Sequence, residues 1–224
     1  MVEVATLRDG LSKRSIYEAF FGYSLICILS LGSRFYTPLW LATIVFGFAF
    51  PLVWSRHGRR EQPEMGHAKS RCASIGWGAS AGIAFSVFCV LSPDAFELYP
   101  PPFLHLQLIV GVLIFAAVLS PFQEMFFRAW LQPRLEDVGG PIGAATITSL
   151  LFMIWHWLPP FSESGYVSLN LTSITGCFST FMLGLSCGLA YLKTRRLMAP
   201  WLTHTIAGVT IIALGRITFV QFID

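Results

Sequence analysis

The stretch LHLQLIVGVLIFAAVLSPFQEMFFRAWLQPRL, Leu104–Leu135, is continuously apolar from Leu108 to Leu119 and then sets Gln123, Glu124 and Arg128 among apolar residues. The window 104–127 is long enough to cross a bilayer core, for which about 20 apolar residues suffice. Gln123 and Glu124 fall inside that window, and Arg128 lies just past it. Ionisable groups at membrane depth are costly, so the default reading of this cluster is an intramembrane functional site.

Outward from this segment, further windows of similar character lie at 16–32, 39–54, 73–92, 141–158, 172–192 and 197–220. The expectation is an all-α fold, a polytopic transmembrane bundle of about seven helices, with six to eight possible. Residues 33–38 read as a tight turn carrying an interfacial aromatic pair, Phe35 and Tyr36. Composition agrees: 54% of residues are hydrophobic, 12% are charged and mean hydropathy is +0.64, whereas soluble domains carry about 25% charged residues. No polar linker separates two folding units, so residues 1–100, the N-terminal membrane helices, and 101–224, which hold the polar clusters, are expected to form one structural domain.

Basic residues set the orientation. With the N-terminus cytoplasmic, Arg8, Lys13, Arg14, Arg56, Arg59, Arg60, Lys69, Arg71, Arg128, Arg134, Lys193, Arg195 and Arg196 fall inside, leaving Arg34 and Arg216 elsewhere, while the outer loops carry Asp94, Glu97 and Glu163. This bias predicts an integral protein of the cytoplasmic membrane of a prokaryote, with its N-terminus in the cytoplasm and, for seven spans, its C-terminus outside. The net charge of +3 needs no nucleic-acid partner, and the basic run 56–71 reads as a topology signal facing anionic lipid. The first apolar run follows Lys13-Arg14 and shows no small-residue cleavage site, unlike a signal peptide. Cys27, Cys72, Cys89, Cys177 and Cys187 have no CxxC spacing and read as reduced, small packing residues.

Two further polar positions lie in spans: His156, four residues after Phe152, and His204. At 1.5 Å per residue, Glu124 lies about 16 Å from the turn expected at 136–140, His156 about 22 Å from Pro141 and His204 about 10 Å from Leu197. Helix tilt can bring the three to one depth. Each also has a structural reading: Glu124 and Arg128, four apart on one face, as an ion pair with a snorkelling arginine; His156 as part of a Trp155–Trp157 aromatic belt; His204 as an interhelical hydrogen-bonding group. The Gly184-x-x-x-Gly188 spacing, like Gly76, Gly78 and Gly82, reads as close helix packing, and His57, His67 and His105 as solvated.

Pro121-Phe122-Gln123-Glu124-Met125-Phe126-Phe127-Arg128, continuing to Pro133-Arg134-Leu135, resembles the EExxxR motif of the CAAX-protease and bacteriocin-processing (CPBP, or Abi) family of intramembrane proteases. Phe152 to His156 matches the region of that family's FxxxH motif, Phe181–Thr194 is similar to its glycine-spaced helix, and Leu197–His204 leads into its HxxxN motif. The resemblance covers about 118–208 and makes 101–224 the catalytic helices. It implies a glutamic endopeptidase without a metal cofactor, with site residues at Gln123, Glu124, Arg128, His156 and His204. Its first glutamate falls on Gln123 and its asparagine on Gly208.

An amide is no general base, so in the implied chemistry Glu124 takes a proton from a water held at His156 while His204 donates to the oxyanion. Gln123 or Thr205 can replace the missing amide donor, and Arg128 holds Glu124 in place. Zinc on Glu124, His156 and His204 is a lesser alternative, weakened by the absence of HExxH. The implied partners are the bilayer and a peptide substrate in or at it: a lipidated C-terminus, a leader peptide or a C-terminal sorting helix. Gln123 and Gly208 motivate a second reading, a catalytically impaired pseudoprotease or immunity-type binding protein. A transport bundle with ion-path charges is a third.

Overall fold

The computed structural model describes residues 2–57, 70–91, 105–156, 158 and 174–213, and their side chains over 13–54, 70–91, 109–156, 158 and 176–213. All regular structure among them is helical: α1 Val2–Gly32, α2 Pro38–His57, α3 Arg71–Leu91, α4 His105–Ile114, α5 Ser120–Glu124, α6 Gln132–Trp155, α7 Ile174–Thr194 and α8 Met198–Ala213. Two π-helical stretches, Phe115–Leu119 and Met125–Leu131, join α4, α5 and α6 into one run. Gly140 breaks that run, with φ 70° and ψ 174°, a conformation open only to glycine. Pro141 then starts the returning helix where its missing N–H costs nothing.

With that break the described chain makes seven helical passes, as the apolar windows predict. Three stretches, Lys13–Gly32, Arg71–Leu91 and Ile109–Trp155, are long and apolar enough to cross a membrane, and Pro38–Trp54 and Met198–Ala213 are shorter apolar helices. Two boundaries differ from expectation. The first helix begins at Val2 rather than near 16, and the turn expected over 136–140 shrinks to Gly140. The second difference has a cause: Glu136 is held by Arg195 (2.7 Å) and Asp137 by the Ser15 hydroxyl (2.7 Å), which stabilise helix up to the glycine.

Both π stretches end just before a proline, Pro121 and Pro133. Proline lacks an N–H and its ring clashes with the carbonyl four residues back, so a locally wider turn accommodates it. In the first stretch the Ser120 N–H donates to Phe115 O, the π register. The next bond of that register would be Pro121 to Ala116 O, which proline cannot make. The Trp201 indole Nε1 donates to Ala116 O instead, at 2.9 Å, and so ties this rod to α8.

Polar contacts sort to two ends. At one end Ser15 meets Asp137, Glu18 meets Arg134 (3.0 Å) and Glu136 meets Arg195. At the other, Trp155 Nε1 donates to Ser30 Oγ (2.8 Å) and Arg34 Nε to Leu158 O (2.9 Å). Antiparallel passes alternating through a slab require this sorting. Arg8, Arg56, Arg59, Arg60, Lys69, Asp94, Glu97, Glu163, Arg216, His57, His67 and His105 have side chains outside the described residues.

Between the ends the core is aromatic. Phe122, Phe126, Phe127, Trp130, Phe152 and Trp155 are fully buried, and Trp40 of α2 lies 6.0 Å, centroid to centroid, from both Phe122 and Trp155. Gly22 and Gly47 let α1 and α2 close onto Trp130 and Phe122. α7 meets α6 at Gly184 and Gly188, and α3 meets α8 at Gly78 and Gly82. Gly76, two residues from Gly78 and so on the opposite face, has nothing within 4 Å of its Cβ position among the described residues, which corrects its reading as a packing glycine. Tyr17, Phe20, Ile28, Ile83 and Val87 face outward, as lipid-contacting side chains must, and Phe35 and Tyr36 are exposed in the α1–α2 turn.

Candidate active site

Glu124 sits at the end of α5 between the two π stretches, and its carboxylate oxygens take different partners. Oε1 accepts from His204 Nδ1 at 2.7 Å, and Oε2 accepts from Arg128 Nε at 3.3 Å. All three side chains are buried: Glu124 is 1% exposed, Arg128 0% and His204 3%. A buried carboxylate is tolerated when paired and hydrogen-bonded, and Glu124 is both. The register is fixed one turn earlier. Ser120 donates to Trp201 O at 3.4 Å and accepts from Thr205 Oγ1 at 3.2 Å, which seats α5 against α8. Thr205 is thereby engaged in this clamp.

A carboxylate only accepts, so His204 Nδ1 carries a proton, which in a neutral imidazole places the lone pair on Nε2. His156 shows the same tautomer for a different reason: its Nδ1 donates to Phe152 O at 2.7 Å, which puts the lone pair on Nε2. Phe152 links the pair, with its ring 4.2 Å from the His156 ring and 5.7 Å from that of His204, and the Arg128 guanidinium 5.4 Å from its centroid. His156 thus joins the cluster through Phe152 and has no described hydrogen bond to Glu124.

Among the described residues, the buried side-chain atoms without a hydrogen-bond partner include three on sequence-predicted site residues: Arg128 Nη1, Arg128 Nη2 and Gln123 Oε1. An unmet buried group costs about 1–3 kcal/mol, so the two nitrogens of Arg128, which is paired to Glu124, are open hydrogen-bonding capacity at the site. Gly208 offers none, and its neighbourhood explains why. A Cβ there would fall within the Phe115 ring, whose edge also packs on the His204 imidazole at 5.5 Å. Phe115 fills the space that an asparagine at 208 would need.

Two residues of the site were not legible as such. Cys187 lies with Glu124 and His204 in a buried group whose ligand-type atoms are all within 4.8 Å of one another, and His156 is not in that group. This group differs from the set expected for zinc in having Cys187 in place of His156. The spacing of Cys187 with Gly184 and Gly188 puts it on the face of α7 that meets α6, which is the one signal in the sequence. Phe115 gave no signal, because its pairing with Gly208 joins segments far apart in the chain.

Comparison with known proteins agrees with the motifs. No curated protein and no solved structure matches the chain. A family model described as type II CAAX prenyl endopeptidase, Rce1-like, matches residues 103–210, the span that carries Gln123, Glu124, Arg128, His156 and His204. Over residues 103–210, just under half of its length, the chain is thus similar to the Rce1-like type II CAAX prenyl endopeptidases.

Proposed function

We propose that the protein is an intramembrane endopeptidase in which the Glu124–His204 pair activates the hydrolytic water. The observation that carries this reading is the 2.7 Å bond between Glu124 Oε1 and His204 Nδ1 inside a buried site. With both oxygens of Glu124 engaged, the free lone pair of the dyad is His204 Nε2. His204 takes the proton from water as the hydroxide adds to a peptide carbonyl, and Glu124 fixes the tautomer and stabilises the imidazolium. That moves the proton acceptor from Glu124 to its partner while leaving the mechanism dependent on the glutamate.

The developing oxyanion needs donors, and the unpartnered Arg128 Nη1 and Nη2 are the candidates; the NH₂ of the Gln123 amide is a further donor by its chemistry. The imidazolium then returns its proton to the leaving amine. His156, whose Nε2 carries the lone pair, orients the water or substrate. The substrate is a peptide reaching the site from the bilayer: a prenylated C-terminus, which the family description names, a leader peptide or a C-terminal sorting helix. The N-terminus faces the cytoplasm in this reading, supported by the basic residues gathered at the end that holds Arg14, Arg134 and Arg195.

One observation favours a second reading. Gln123 puts an amide where the resembled motif has a carboxylate, and the Phe115-filled space at Gly208 takes the place of its asparagine, as expected of a binding protein that has lost turnover. Purified protein incubated in detergent with prenylated, leader and sorting peptides separates the two. Cleavage of one class that survives chelators and disappears in His204→Ala supports the peptidase. Tight binding of a peptide without cleavage supports the second reading.

A further inference from the structure

We propose that Glu124, Cys187 and His204 form a binding site for a thiophilic divalent cation, zinc or cadmium, whose occupation disables the Glu124–His204 pair. The three residues come from α5, α7 and α8, are 1%, 0% and 3% exposed, and hold one carboxylate oxygen, one sulfur and one imidazole nitrogen within 4.8 Å of one another. A tetrahedral zinc with bonds of about 2.0–2.3 Å spreads such atoms about 3.3–3.7 Å apart, so a small contraction closes the shell and leaves a fourth position for water. Mixed thiolate, imidazole and carboxylate donors suit zinc and cadmium.

Cys187 takes no part in the pairing of Glu124 with His204. Its thiol makes a weak contact to Pro200 O at 3.7 Å and also approaches the Glu124 carboxylate. Binding balances as follows. The Cys187 S–H bond breaks, its proton leaves to solvent, and a sulfur–metal bond forms. His204 donates its Nδ1 lone pair to the metal and carries its single proton on Nε2. Glu124 gives Oε1 to the metal and keeps Arg128 on Oε2. Thiolate and carboxylate neutralise the two positive charges of the metal. With Nε2 protonated, His204 no longer accepts a proton from water, which makes the cation an inhibitor. The inhibitory half rests on the function proposed above; the binding half does not.

The test uses the full chain, purified in detergent and titrated with cadmium, read by the ultraviolet sulfur-to-cadmium charge-transfer band and by melting temperature. The expected result is a band saturating at one equivalent and a raised melting temperature, both lost in Cys187→Ser and in Glu124→Gln and both kept when the exposed Cys72 is replaced in Cys72→Ser. No band in the wild-type protein, a measurement that needs no variant to fold, or a band that persists in Cys187→Ser, would overturn the site. Cadmium bound through Cys187 with cleavage undiminished would overturn the inhibitory half and the role given to His204. Cadmium bound through Cys187 in a chain that cleaves nothing upholds the site and sinks only the peptidase reading.

Discussion

Glu124 is held between a cation and an imidazole, and each partner sets a different consequence for its loss. Glu124→Gln keeps the side-chain shape but leaves Arg128 as a buried cation with no counter-charge, so we expect a loss of about 3–5 kcal/mol of stability, measured by denaturation in detergent. Cleavage should fall about 10³–10⁴-fold, because an amide no longer fixes the His204 tautomer. Gly208→Asn, which restores the residue of the resembled motif, should lower stability by about 1–3 kcal/mol through overlap with Phe115. Adding Phe115→Ala should recover much of that loss, and a melting temperature unchanged in Gly208→Asn would refute the packing. Glu124, Arg128 and His204 stood out in the sequence because polar groups in apolar spans have few innocent explanations. Which atoms pair did not: helix spacing pointed Glu124 at Arg128, four residues on, whereas the shorter bond crosses 80 positions to His204. Cys187 stayed hidden because a thiol suits an apolar face.

At the scale of elements, the rod from His105 to Trp155 owes its shape to prolines and one glycine. Pro121 and Pro133 follow the two π stretches that bracket α5, and Gly140 turns the chain back. Helical periodicity foretold both helices on either side of Gly140, since hydropathy and the Gly139-Gly140-Pro141 sequence are local signals. The π stretches were not foretold, because proline marks a disturbed turn without saying how it is resolved. Gly140→Ala places a side chain at φ 70° and should cost about 1–3 kcal/mol, read as a lower melting temperature, although nothing lies near the Cβ. An unchanged melting temperature would show that the chain can turn here without a left-handed residue.

At the scale of the molecule, alternating passes, an outward-facing apolar surface and two polar ends describe a bundle in lipid. If the end holding Glu18, Arg134, Glu136 and Arg195 is cytoplasmic, Cys72 should react with an impermeant maleimide only from the cytoplasmic side, and Arg34→Cys, in a background without Cys72, only from outside. Reversed labelling would invert the topology. The charge bias that predicts this orientation is legible because it is a property of loops, whereas the meeting of α5, α7 and α8 depends on close packing at small residues that no local pattern encodes. The claim that joins these scales is that Glu124 and His204 act as one unit on water. Cleavage rates of wild type, Glu124→Gln, His204→Ala and the double variant, measured on one prenylated peptide in proteoliposomes, test it directly. We expect each single change to cost at least about 10³-fold and the double change to cost scarcely more than the worse single one. Losses that multiply, or a Glu124→Gln protein cleaving at the wild-type rate, would contradict it.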